Sequence, residues 1–233
     1  FFATIRTSFR RQLTYRAANL SGLATNLMFA FFRAAVLIAL FNEKNVVNGL
    51  SIQGAITFAG ITQALIGYLS FFSWYDVMHA INEGQIGADL LKPMNFFTYW
   101  LGIDLGRALG SFLIRSLPLF LIFMLFYRIT LPDSILQWSV FLLSVVLSEL
   151  ISFGWRFLVN LAAFWSPNAL GVGRFAFGLS WIFSGFFMPL DLFPDWLANF
   201  ARLTPFGASL YLPIEIFINK LKGDFQRPGT HFG

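Results

Sequence analysis

The chain has 233 residues, of which 57% are hydrophobic and only 12% charged, with a net charge of +5 and no cysteine. Its mean hydropathy of +0.69 and scarcity of charge set it apart from soluble globular domains, in which about 25% of residues are charged, so a large water-soluble domain is excluded. Disulfides, thiol catalysis and thiolate metal sites are excluded with the missing cysteine.

Residues 1–19 interleave Arg6, Arg10, Arg11 and Arg16 with Phe2, Ile5, Phe9 and Leu13 at helical spacing. This is the pattern of an amphipathic interfacial helix on an anionic leaflet. A nucleic-acid patch is the weaker reading, because the neighbouring membrane segment already supplies an electrostatic reason for the arginines. A signal peptide is disfavoured, since the first apolar stretch is too long.

Apolar stretches follow at 20–41, 52–75, 110–127, 135–165 and 170–190, against the roughly 20 residues that cross a hydrocarbon core. They predict five spans of an all-α polytopic membrane protein forming a single transmembrane domain over 1–233. The arginines before the first span, against one Glu and one Lys in 41–51, place the N-terminus in the cytoplasm. Alternation then puts 82–93 inside, 128–134 outside, 166–174 inside and 191–213 outside. Tyr75, Tyr99, Trp100, Tyr127, Trp138 and Trp165 fall at predicted span ends, where an aromatic belt is expected.

Gly102, Gly106 and Gly110 form a smooth stripe that admits a close helix contact, within the chain or across a dimer. Four charges fall inside predicted spans: Arg33, Arg115, Glu149 and Arg156. Each must face protein or water. Glu149 is the one carboxylate within those spans, and Arg33 is its expected partner.

From residue 186 the pattern changes. Pro189, Pro194, Pro205 and Pro213 punctuate short apolar pieces around Asp191 and Trp196, with a brief amphipathic helix at 196–203. Prolines at this density end helices, and irregular backbone at membrane depth must be surrounded by protein. The expectation is a re-entrant or external hairpin over 186–213 on the outer side. Residues 214–222 would still be outside, so a sixth span is expected to be missing. With Phe1 in place of Met and a dissimilar run at 226–233, a break is expected near Phe225 and Gln226.

Catalytic machinery is sparse. No GxxxxGK(S/T) phosphate loop occurs, so any ATP must be handled by another chain. His79 and His231 stand far apart without ligand-spaced carboxylates, which makes a metal site improbable. Ser180 follows Gly178, but Ile182 replaces the second glycine of a nucleophile elbow. The run GVGRFAFG at 171–178 lacks a correctly placed third glycine for a dinucleotide fingerprint. No catalytic residue, metal or cofactor is expected in this chain.

RRQLTYRAANLSG at 10–22, EGQIGADLLKP at 83–93, Asp104-Leu105-Gly106-Arg107, and FSGFFMPLDLFPDWL at 183–197 followed by TPF and LPIEIF carry a likeness in their order and spacing. The chain resembles the membrane permease subunit of a type-2 ABC exporter, in particular the bacterial branch of six-span permeases. The resemblance implies that 82–95 is a cytoplasmic coupling helix docking on a separate ABC ATPase, which would bind the ATP and Mg. It also implies a second permease copy or related permease alongside, Arg10, Arg11 and Arg16 on an interfacial helix leaning on the ATPase, and a place in the bacterial inner membrane. The hairpin with Pro189, Asp191, Pro194, Trp196 and Pro205 would then be the lid of the exit.

The loop's own residues suit the docking role: Glu83, Asp89 and Lys92 supply a polar rim, Leu90 and Leu91 an apolar anchor, with Gly84 and Pro93 at its turns. An ordinary solvated loop is the bland alternative. Thirty-one phenylalanines suit an amphipathic or lipid-like cargo, although the rings could equally face lipid. A non-transporting membrane scaffold is the alternative function. An intramembrane lipid enzyme is weaker still, for want of paired carboxylates or an activated serine.

Overall fold

The computed structural model describes residues 1–41, 46–47, 50–70, 74–166 and 168–218. Glu43 and Lys44 of the first loop, the expected break near Phe225 and Gln226, and His231 lie outside them. Helix α1 (Phe2–Thr14) is separated from α2 (Arg16–Phe41) only by Tyr15, whose ψ of 58° interrupts the helical ladder. A two-residue antiparallel pair, β1 (Val46–Val47) and β2 (Leu50–Ser51), leads into α3 (Ile52–Tyr68). The Ser51 side chain caps α3 by accepting the Gly54 N–H.

Two short helices, α4 (Asp76–Asn82) and α5 (Ile86–Leu90), precede α6 (Phe96–Ser111), which runs through a π-turn (Phe112–Ser116) into α7 (Leu117–Phe126). Helix α8 (Ile135–Leu161) is the longest, followed by α9 (Ala169–Phe183) and α10 (Asp195–Leu203). A second π-turn (Gly207–Tyr211) opens into α11 (Leu212–Ile218). Both π-turns have the same cause. Pro118 and Pro213 lack an N–H and would clash with the carbonyls of Ile114 and Ser209 four residues before, and widening the preceding turn relieves the clash.

Three helical stretches are long and apolar enough to cross a membrane, Arg16–Phe41, Phe96–Phe126 and Ile135–Phe164. Helix α3 stands at the centre, buried nearly all round and packed against α2, the α6–α7 rod and α11. Its Phe58, Ile61 and Leu65 meet Leu190, Leu210, Tyr211 and Ile214 in the main apolar cluster.

The boundaries differ from the sequence expectation in three places. The predicted span 110–127 begins fourteen residues earlier, at Phe96, because Asp104 and Arg107, which read as a polar boundary, neutralise each other on one helix face. The predicted span 52–75 ends at Tyr68, where side chains from α6 and α8 bind the carbonyls of Gly67, Tyr68 and Leu69. The predicted span 170–190 stops at Phe183, and Gly185 at φ +75° turns the chain. The aromatic belt is also incomplete: Trp100 is buried and Trp138 packs on Phe141 and Phe217, while Trp165 is exposed.

The glycine stripe of α6 receives α1. A Cβ on Gly106 would stand 2.3 Å from the Ile5 carbonyl oxygen, one on Gly110 2.7 Å from the Gln12 Cβ, and one on Gly102 3.3 Å from the Thr4 Cβ. The pairing advances in the same sense on both helices, so α1 lies lengthwise and parallel on α6. Ser8 donates to the Ile103 carbonyl at 2.6 Å and Gln12 to Ser111 at 3.2 Å. Arg6, Arg10, Arg11 and Arg16 are left on the exposed side.

Candidate functional site

The loop between α3 and α6 stands at one end of the bundle. Gly84, at φ +73°, turns the chain out of α4, and Asn95 caps α6 by accepting the Phe97 N–H. Between them Leu90 and Leu91 are 62% and 87% exposed. Asp89 and Lys92 form an ion pair of 2.6 Å, with the Lys92 ammonium 3.8 Å over the Tyr99 ring. Burial works against that ammonium, but Asp89 and Tyr99 more than offset it and raise its pKa. Glu83 faces outward and accepts from Gln85 at 2.7 Å. Of the three rim residues, then, only Glu83 presents its charge freely, while Asp89 and Lys92 hold the turn that displays the two leucines.

Behind this loop α4 is clasped to α8. Asn160 donates to the Trp74 carbonyl at 2.8 Å and accepts the Met78 N–H at 2.9 Å. Trp74 packs edge-on against Trp100 and Phe153, and the Arg156 guanidinium lies 5.3 Å over its ring. The same guanidinium enters a cluster of four charges. It donates to both Asp104 oxygens, at 2.9 and 2.8 Å, and to Glu149 Oε1 at 3.1 Å. Arg107 joins Asp104 at 2.8 Å, Glu149 Oε1 at 3.1 Å and the Tyr68 carbonyl at 3.0 Å. Asp104 and Glu149 are fully buried. Two acids face two arginines in equal number, and this mutual pairing makes the cluster tolerable between helices.

The expected pair of Arg33 with Glu149 is therefore not formed. Glu149 takes Arg107 and Arg156, whereas Arg33 donates through Nη2 to the backbone carbonyls of Phe186 and Phe187 and stacks 4.9 Å over the Phe186 ring. The sequence reading also missed a second intramembrane carboxylate, Asp104. Its i,i+3 spacing to Arg107 was a usable signal once the helix was extended to Phe96. The fourth charge considered, Arg115, reaches Asn19 Oδ1 at 3.2 Å and the Ala18 carbonyl at 3.4 Å, near the start of α2.

The Pro-rich segment packs against the end of α9 and against α8. Pro189 and Leu190 are buried, while Pro194, Trp196 and Pro205 are exposed on either side of α10. Asp191 accepts the Tyr211 hydroxyl at 2.6 Å and Arg202 at 3.1 Å, and Arg202 also reaches Glu215 at 3.2 Å. The return limb runs antiparallel to α8: Phe206 packs on Trp155, Ser148 donates to the Ala208 carbonyl, and Gln137 donates to the carbonyls of Ile216 and Phe217. Trp155 stands roughly 30 Å along α8 from Ile135 at 1.5 Å per residue. The limb thus starts deep beside α8 and comes back to its beginning.

Residues 26–229 match the family model described as ABC-2 family transporter protein. No curated protein and no solved structure matches the chain.

Proposed function

The chain belongs to the ABC-2 family of transporter membrane proteins, and from that premise we propose that it is the permease of an ATP-driven exporter whose nucleotide site lies on a separate ATPase subunit. Residues 82–95 are the docking element. The observation that carries this is the exposed Leu90–Leu91 pair, held at the tip of an otherwise polar loop by the Asp89–Lys92 ion pair. Two adjacent exposed leucines cost solvation unless a partner covers them, and an apolar anchor inside a polar rim is the usual anatomy of such a contact.

Force applied to the loop has a short route into the spans. The Asn160 clasp ties α4 to α8, and the four-charge cluster ties α8 to α6 and to the end of α3. Differential affinity of the ATPase for two arrangements of these helices is what shifts the permease between access states. Two permeases stand side by side in the bacterial inner membrane with the loop and N-terminus cytoplasmic, and the 186–213 hairpin lids the exit for an amphipathic cargo.

Purification in mild detergent tests this reading. The wild-type chain should bring an ATPase with it. Leu90→Glu combined with Leu91→Glu should weaken that association by at least about thirtyfold, as expected for a hot-spot loss of about 2 kcal/mol, with an unchanged Tm because both side chains are exposed. A wild-type chain that emerges without an ATPase would overturn the permease reading in favour of a membrane scaffold.

A further inference from the structure

We propose that Arg33 and the exposed aromatic face around it form a binding site for the anionic head of an amphipathic molecule, its phosphate-type oxygens on the guanidinium and its chain along α2. Arg33 stands roughly 26 Å from Arg16 and roughly 12 Å from Phe41 along α2, at 1.5 Å per residue, so it lies well within a membrane span. Among the described residues no carboxylate reaches it. The Phe186 and Phe187 carbonyls satisfy Nη2, but they are neutral dipoles and leave the charge uncompensated. Nη1 is buried and has no hydrogen-bond partner among the described residues.

The other intramembrane arginines differ on this point. Arg107 and Arg156 share two carboxylates. Arg115 lacks one too, but it donates to Asn19 Oδ1 and to the Ala18 carbonyl, and none of its nitrogens is buried without a partner. Among the described arginines, Arg33 alone combines a place inside a span, a charge without a carboxylate partner and a buried donor without a hydrogen bond. The described residues supply no opposite charge for a cation so placed, and a guanidinium with an unused N–H selects oxyanions.

The surroundings define the rest of the ligand. Phe29, Val36 and Leu40 stand four before, three after and seven after Arg33, on one helix face, and all are exposed. Phe187 and Met188, on the segment whose carbonyls hold Arg33, are exposed as well. An anionic head with an apolar chain fits this surface. These side chains face the hydrocarbon of a membrane span, so an anion that reaches Arg33 past them arrives through lipid and carries an apolar chain.

The source of the anion is either a bilayer phospholipid or the cargo, and only the cargo arm rests on the permease reading. The test uses the purified complex in detergent, titrated with oleoyl lysophosphatidate and with monooleoylglycerol, which share a chain and differ in the phosphate. Wild type should prefer the phosphate probe by at least about tenfold, equivalent to about 1.4 kcal/mol. Arg33→Lys should keep most of that preference. Arg33→Gln should lose it, and Arg10→Gln with Arg11→Gln on α1 should not.

Equal binding of the two probes to wild type needs no variant to interpret and overturns the proposal. So does a preference that follows the α1 arginines, or an Arg33→Gln chain that keeps the preference. An absent preference together with a dimer split by Arg33→Gln would also overturn it, because the counter-charge would then be a carboxylate of a second copy. With the site established, a rise in ATP hydrolysis on adding the phosphate probe identifies cargo, and unchanged hydrolysis at full occupancy identifies a lipid. Copurification of the ATPase is read separately, so failure of the permease reading is distinguishable from failure of the site.

Discussion

Arg156 meets Asp104, Glu149, Ser152 and the Trp74 ring at once, and these contacts explain how two acids and two arginines coexist between α6 and α8. Removing one partner of a buried ion pair costs about 3–5 kcal/mol, whereas removing both can be nearly neutral. Asp104→Asn should therefore lower Tm sharply, and Asp104→Asn combined with Arg156→Gln should recover more than half of the loss. Thermal unfolding of the three proteins in one detergent measures the difference. A double variant no better than the single one would mean that geometry, not charge balance, sets the energy of the cluster. Little of this was legible beforehand. Glu149 and Arg156 stood out as misplaced charges, but nothing local to either pointed across 52 residues to Asp104 or 42 to Arg107.

At the level of elements, the glycine stripe converts a sequence pattern into a helix contact. Gly106 has backbone of α1 against it, whereas the nearest atoms to Gly102 are side-chain carbons of Thr4 and Phe1 at 3.3–3.5 Å. A backbone cannot rotate away and a side chain can. Gly106→Ala should separate α1 from α6 at about 1–3 kcal/mol, the usual cost of overpacking, while Gly102→Ala should change Tm by much less. Equal effects at the two positions would argue against lengthwise packing of α1. The stripe announced a close contact through its spacing, but not its partner, because small residues admit any neighbouring backbone. Helix ends were read less well than helix existence. The prolines behind both π-turns were visible, yet the start of α6 was hidden by Asp104 and Arg107, whose charges cancel only once both lie on one helical face.

For the molecule as a whole, the proposed orientation puts the 82–95 loop inside and the exposed Trp196 of α10 outside. The absence of native cysteine makes this directly testable. Trp196→Cys should react with a membrane-impermeant maleimide in intact cells, and Glu83→Cys only after permeabilisation. The reverse pattern would invert the topology derived from the arginines. That the chain is a helical membrane protein was settled by composition and by the lengths of its apolar runs, since a backbone in hydrocarbon must satisfy its own hydrogen bonds along the segment. The 82–95 loop was also legible, as a polar interruption carrying two leucines. Which charges meet, which glycine faces which helix, and that Arg33 faces hairpin carbonyls in place of Glu149 were decided only by tertiary packing. Ion pairs and helix contacts depend on distances in space between residues far apart in the chain, and hydrophobic periodicity does not encode those distances.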